Sequence, residues 1–442
     1  MFARRSYMLD ISRDRVPTME TLFLVVDILA KMRYNEFQLY TEHTFAYKGH
    51  ETVWQGADPM TPGEIARLER YCEMQGIELV PNQNTFGHME RWLVHDEYRP
   101  LAKFPNGGAV TPWGTIKKDP TTLDPSKPGS LALVEDMLSQ LLPCFKSPFV
   151  NIGCDETFEI ADHAEYLSFL LKVADVARRH GKRPMFWGDI VLKHPESVPS
   201  LPKDMIALDW GYEADHPFAK EAALFAKSGL DFYVVPGTSS WRSLGGRVEN
   251  MRVNLVQAEK AGRENGAKGY MLSDWGDHGH WQPLAASLPG IVLAGGLAAT
   301  GPKAAGMDLE RELDAIMDAP LGGLLLRLGT LYLRGGALKA NCSEFFNILA
   351  NDIGYSRHPG LTDSILDEIG GIAAGVRIAT EKWCDRNAWA KEIHYMASLV
   401  DAACHRRDEG RLRELRDEHG RVWRLRSREG GRADSLAKLP RF

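Results

Sequence analysis

TPGEIARLERYCEMQGIELVPNQN, residues 61–84, reads as an amphipathic helix, a glycine stop and a buried strand in direct succession. Thr61 is placed to cap the helix, Pro62 suits its first position, and Glu64, three residues after the cap, completes a capping box. Ile65, Leu68, Tyr71 and Cys72 fall on one inward stripe at helical spacing. Gly76 supplies the left-handed exit that ends many helices, and IELVPNQN continues as a strand. The same unit returns at 163–181 followed by RPMFWGDI, at 218–229 followed by LDFYVVPG, and at 249–266 followed by KGYMLSDWG. MLDIS, EFQLYTE, FVNIGCDE and MIALDWGY bring the strand count to eight.

These strands are apolar almost throughout, as strands buried on both faces must be. Eight strand-then-helix units over roughly 280 residues match the size of a (β/α)8, or TIM, barrel. A doubly wound sheet is the alternative, but no glycine-rich GxGxxG turn follows the first strand. The reading is therefore an α/β chain with a TIM barrel over 1–290 and a helical C-terminal region over 291–442. Strand signals fade after Pro289, and apolar runs such as GLLLRLGTLYL (323–333) read as helix. The tail from Arg406 to Arg432 is dense in Arg and Glu, with Leu412, Leu415, Val422 and Trp423 at helical spacing. It reads as a solvated helix docked by one face, or more sharply as a homodimer contact.

The 442 residues are 44% hydrophobic and 25% charged, which is ordinary for a soluble globular chain. A net charge of -6 gives no electrostatic reason to expect a nucleic-acid partner. The six cysteines are scattered without a CxxC pair or zinc spacing, and fit reduced thiols of the cytoplasm better than a disulfide framework. MFARRSYMLDISRDR lacks the apolar run of a signal peptide. No uninterrupted apolar stretch reads as long enough for a membrane span, so no membrane partner is expected.

A TIM barrel carries its active site at the C-terminal ends of its strands. Taken strand by strand, those ends offer Asp10 and Arg13; Tyr40, Glu42 and His43; Asn82, Asn84 and His88; and Asp155–Glu156. The later ends offer Trp187 and Asp189; Asp209, Trp210 and Tyr212; Ser239, Ser240 and Trp241; and Asp274, Trp275, Asp277 and His278. Tryptophan faces pack on the C–H surfaces of a pyranose, while carboxylates, Asn and Arg bind its hydroxyls in directed pairs. The mixture favours a sugar over a phosphate or an apolar ligand, although a single tryptophan is more often core. Asp155–Glu156 is the sharpest feature. Adjacent strand residues point to opposite sides, so both carboxylates reach one pocket only where the strand is ending. There one can stay charged while the other, raised by that charge and by burial, serves as a general acid. His43, His278 and His280 could join aspartates as metal ligands, as in barrel amidohydrolases. The paired HxH that such sites favour on strand one is missing, so no metal is expected.

Together these residues resemble the family 20 glycoside hydrolases, the β-N-acetylhexosaminidases. The family's first-strand Asp followed by Arg is similar to LDISR at 9–13, its third-strand Pro-Gly-His element to TFGH at 85–88, and its Asp-Glu signature to GCDE at 153–156. Its last-strand Trp-Gly-Glu resembles Trp275-Gly276-Asp277. The motifs keep the family's order over about residues 6–285. QLYTEHTFAY and PNQNTFGHMERW look like the hexosaminidase D-type branch.

The resemblance implies a retaining, substrate-assisted mechanism, an exception to the two-carboxylate scheme. The substrate's 2-acetamido oxygen would attack the anomeric carbon to give an oxazolinium intermediate. Glu156 would be the acid and then the base; Asp155 would orient the acetamido group and stabilise its positive charge. Arg13 would hold ring hydroxyls with help from Asp277, while Trp187, Trp210, Trp275 and Trp241 would wall the acetamido pocket. The tyrosine expected at the acetamido carbonyl is Tyr212 or Tyr233. His88 is either a structural hydrogen-bonding residue or part of a charge network behind Glu156. The partner implied is an N-acetylhexosamine-containing glycan or glycoconjugate, with no metal or organic cofactor. Asn84 departs from the family's usual Asp, Asp277 is shorter than its Glu, and the small α/β unit that often precedes the barrel has no counterpart here. A GalNAc-specific enzyme and a catalytically silent sugar-binding barrel are the other readings.

Overall fold

A computed structural model describes residues 1–112, 114–350, 356–405 and 408–440. Eight parallel strands close on themselves in sequence order: β1 (Arg4–Asp10), β2 (Glu36–Thr41), β3 (Glu78–Gln83), β4 (Phe149–Asn151), β5 (Arg183–Trp187), β6 (Ile206–Trp210), β7 (Asp231–Val235) and β8 (Gly269–Asp274). The pairing of β8 back onto β1, Tyr7 opposite Leu272, removes both sheet edges and decides for the barrel over the doubly wound sheet.

The helix read from residues 61–84 spans Pro62–Met74. Thr61 Oγ1 accepts the Glu64 N–H at 3.3 Å and Glu64 Oε2 accepts the Thr61 N–H at 2.9 Å, which is the capping box. Ile65, Leu68 and Cys72 are buried. Tyr71 is only half-buried: its ring packs on Phe23 and its hydroxyl donates to Asp27, so it meets the neighbouring helix Met19–Lys31 and not the sheet. His163–Arg179, Phe218–Ser228 and Val248–Asn265 lie where the repeated unit predicts. The fifth unit departs from it. After β5 come only the short helix Asp189–Leu192 and a 3-10 turn, Pro195–Ser200. Pro195, Pro199 and Pro202 each lack an N–H, and a long helix cannot run through them.

Leu288–Thr300 packs on β1, β8 and Val248–Asn265 as the eighth barrel helix. With its flanking turns it forms Leu284–Gly306, a run of 23 residues whose most apolar window has mean hydropathy 1.6, long and apolar enough to cross a membrane. That corrects the expectation that no stretch has this character. The physical reason for its composition is burial on every side, since 83% of the apolar window is inside the protein.

Among the described residues, the C-terminal region is helical but for turns, loops and one hairpin, Leu338–Lys339 with Cys342–Ser343, which a reading of helices throughout overlooks. The run GLLLRLGTLYL is also not one helix: Gly322–Leu328 gives way to a 3-10 turn, Leu331–Gly336. Asp363–Cys384 and Ala388–Cys404 pack together, and Glu409–Arg426 packs on the second of them. In that last helix Leu412, Leu415, Val422 and Trp423 are all buried on the chain's own surface; Arg406, where the tail begins, lies outside the described residues. The segment then straps the barrel. Arg428 N–H donates to Val16 O at 2.9 Å, its guanidinium reaches Glu64 and Pro59 O, and Pro17 pairs with Ser427. Beyond it, Asp14 is gripped by Arg91 and Lys438.

Candidate active site

β4 stops at Asn151, and the next residues abandon the extended conformation. Gly153, Cys154 and Glu156 have φ of 72°, 72° and 49°, in the left-handed region. A Cβ on Gly153 would collide with the Asn84 side chain, so position 153 needs glycine for both conformation and space. This bend defeats the strand's alternation and brings both carboxylates to one imidazole. His88 Nε2 lies 3.3 Å from Asp155 Oδ2 and 3.4 Å from Glu156 Oε2. Gly153→Ala should therefore destabilise the fold by about 1–3 kcal/mol, as overpacking does, and displace Asn84. Denaturant unfolding alongside an activity assay checks it; an unperturbed variant would show the bend is not needed.

The three groups are driven apart in proton affinity. Burial alone would raise Asp155, but the His88 charge and hydrogen bonds from His88 and Asn84 outweigh it and hold the carboxyl below its ordinary range. Burial raises Glu156, with Asp155 and Asp277 adding to the effect against His88. His88 is pushed up to about 10: burial opposes its charge, and Asp155 and Glu156 more than compensate. Asp155 is thus biased toward its charged form, His88 toward the imidazolium, and Glu156 toward keeping its proton. Asn84 does not touch His88 among the described contacts. Its amide donates to Asp155 at 3.0 Å and to Tyr40 Oη at 3.1 Å. A carboxylate at 84 would repel Asp155, whereas the Asn84 amide supports it.

Arg13 occupies an adjoining corner. Its guanidinium bonds Asp10 at 3.0 Å and approaches Glu42 at 3.3 Å, between the rings of Tyr40 and Trp275. Asp10 also accepts the Gly276 N–H at 3.0 Å, tying the first strand end to the Trp275–Asp277 turn. Asp277 is half-buried. Trp187, Tyr212, Trp241 and Trp275 form one cluster with Trp210 packed against it. Trp275 Nε1 donates to Tyr212 Oη at 2.9 Å, whereas the indole N–H groups of Trp187 and Trp210 meet no acceptor among the described residues. Of the two candidate tyrosines, Tyr212 stands here. Tyr233 bonds Glu36 at 3.2 Å, at the opposite end of the barrel.

Other strand-end residues turn elsewhere. Asp209 points out of the barrel, because its neighbours Leu208 and Trp210 face the interior. Asp274 is held by Tyr7, Thr238 and Ser240, and Asn82 by Gln38 inside the barrel. Ser239 accepts from Asn250. His278 packs against Trp281 and Phe346. His43 is pushed down to about 3 by burial and by Arg91 and Arg13, and His280 well below its ordinary value by burial and Arg15.

Residues 2–240 match the catalytic-domain model of glycosyl hydrolase family 20. The chain belongs to that family. Hexosaminidase D of Bos taurus is 26% identical over 285 residues, 56% of this chain and 77% of that one. Hexosaminidase D of Homo sapiens is 24% identical over 310 residues, 62% of this chain and 61% of that one, so the chain spans under two thirds of the human relative. Among solved structures, a Flavobacterium johnsoniae chitobiase aligns over 99% of this chain and 78% of its own, with a TM-score of 0.57 and 16% identity. A Vibrio harveyi family 20 exo-β-N-acetylglucosaminidase aligns over 74% and 58%, with a TM-score of 0.54 and 17% identity. At such identities the likeness bears on the fold.

The candidate site includes a third acid that the motifs do not single out. Asp189, two residues after Trp187, accepts the Glu156 N–H at 3.3 Å, and its other oxygen has no partner among the described residues. Burial, Asp155 and Glu156 push it up to about 7. The only sequence signal is its place after RPMFWG, at the end of β5.

Proposed function

We propose that this family 20 glycoside hydrolase removes terminal β-linked N-acetylhexosamine from glycans or glycoconjugates by a retaining, substrate-assisted reaction. The observation that carries the reading is His88 set between two carboxylates that it and burial drive in opposite directions. An acid that keeps its proton beside a base that stays charged is what such a reaction requires. The acetamido oxygen attacks the anomeric carbon as the glycosidic bond breaks. Glu156 donates its proton to the leaving oxygen, and the ring closes to an oxazolinium. Asp155 receives the acetamido N–H and stabilises the charge that develops there. In the second half Glu156, now a carboxylate, takes a proton from water as that water opens the ring.

Arg13, fixed between two rings and two carboxylates, offers its remaining N–H groups to ring hydroxyls, with Asp277 beside it. Trp187, Trp210, Trp241 and Trp275 wall the acetamido methyl, and the Tyr212 hydroxyl donates to its carbonyl. The free indole N–H groups of Trp187 and Trp210 are available to sugar oxygens. All six cysteines are unpaired, which supports work in a reducing compartment such as the cytoplasm.

Hydrolysis of nitrophenyl β-glycosides of GlcNAc, GalNAc and glucose, with and without a thiazoline analogue of the intermediate, tests the proposal. Turnover of the N-acetyl sugars alone, blocked by the thiazoline, is the expected result, and the ratio of the two sets the sugar preference. Equal turnover of the glucoside would overturn substrate assistance. Thiazoline bound without turnover of any glycoside would favour a silent sugar-binding barrel.

A further inference from the structure

On the outer face of β6, Asp209 is fully buried, yet neither of its oxygens accepts a hydrogen bond. A buried carboxylate without donors is among the costliest arrangements in a protein interior. The polar groups that face it are His216, on the loop after β6, and Glu221, in the first turn of Phe218–Ser228. His216 Nε2 lies 2.9 Å from Glu221 Oε2, and one ligand atom from each of the three residues lies within 4.8 Å of the others. The His216 ring takes this place because residue 211 is glycine; a Cβ there would occupy the ring's own position. His216 and Glu221 are 19% and 21% exposed, whereas the atoms that face one another, His216 Nε2 and Glu221 Oε2, are buried.

We propose that Asp209, His216 and Glu221 bind a divalent transition-metal ion of the zinc type, outside the catalytic pocket. One imidazole nitrogen with two carboxylate oxygens is a donor set for zinc or its first-row neighbours, whereas calcium and magnesium prefer oxygen alone. Three protein ligands leave a fourth tetrahedral position for water. The two carboxylates match the ion's charge, and the ion would supply the partner that the Asp209 oxygens lack. The ion would clamp β6 to the helix behind it and to the loop that carries Tyr212. Its role is structural, and the metal-free reaction at Asp155 and Glu156 does not depend on it.

The competing arrangement is a proton shared among the three residues, and the full-length chain distinguishes the two. After chelator treatment and dialysis, zinc titration should show one site, and zinc but not magnesium should raise the melting temperature by a few degrees. Cobalt in the same site should give visible d–d absorption. Glu221→Gln and His216→Gln, both at partly exposed positions, should weaken zinc binding by about tenfold or more and remove the cobalt bands. Should either variant fail to fold, the wild-type chain still decides: zinc should protect His216 from carbethoxylation by diethyl pyrocarbonate, read by peptide mass. Absence of zinc binding, binding unchanged in both folded variants, or His216 modified equally fast with zinc present would each overturn the metal site.

Discussion

Glu156→Gln should lower kcat on a glycoside with an unactivated leaving group by about 10²–10⁴-fold, the usual worth of general acid–base catalysis. Glutamine keeps the size of the side chain and the left-handed backbone at 156, so substrate affinity and folding should change little. What disappears is the proton that burial and Asp155 keep on the carboxyl. The loss in kcat/KM, which reports the first step, should shrink as the leaving group becomes more acidic, because a nitrophenolate departs with little help. The rate of oxazolinium opening, which needs the same carboxylate as base, should stay low for every leaving group. Parallel rates for nitrophenyl and alkyl glycosides measure this directly. Near-wild-type turnover of the alkyl glycoside would remove Glu156 from the acid's place.

Asp155→Asn should be comparably severe, with kcat falling by about 10²–10³-fold, the usual cost of losing one preorganised electrostatic contact. The thiazoline should lose affinity in step, because the analogue carries the charge distribution that Asp155 is proposed to match. A second readout comes from His88. Asp155 is the largest contributor raising the imidazole from 6.5 to about 10. The folded chain thus holds a proton there that the unfolded chain releases above 6.5. The stability this provides is fully present below 6.5 and is lost as pH rises through about 10. In Asp155→Asn that decline across the alkaline range should largely flatten, since only Glu156 remains to raise His88. Unfolding curves from pH 6 to 10 would show it; an unchanged slope would mean that another group carries the linkage.

The strands were legible because most are largely apolar and several follow a helix that ends in a glycine. The missing fifth helix is legible in retrospect, in Pro195, Pro199 and Pro202, where proline count outweighs a repeat established elsewhere. The hairpin around Asn341 has strands of two residues, too short for any periodicity to register. At the candidate site, residue type and strand-end position were enough to nominate Arg13, Asp155, Glu156 and the tryptophans. Direction was harder. Asp209 sits between two inward-facing neighbours and is turned outward by alternation, and Tyr233 is inside the barrel but at its far end. The supporting contacts were harder still. That Asn84 holds Asp155, and that Asp189 accepts from the Glu156 backbone, depends on loops from different strands meeting, which no local pattern encodes.

Asp14, the neighbour of Arg13, is gripped by Lys438, a partner 424 residues away. Closing so long a loop adds little to the entropic cost, which grows only with the logarithm of length. In time it costs much more, because contacts this distant in sequence are the last to form. While the chain is being synthesised, all eight strands can emerge and pair before Lys438 exists. Arg13, the proposed anchor for the sugar, would then stand on a loop without its strap, and the capacity to grip substrate would arrive only after residue 438 has emerged.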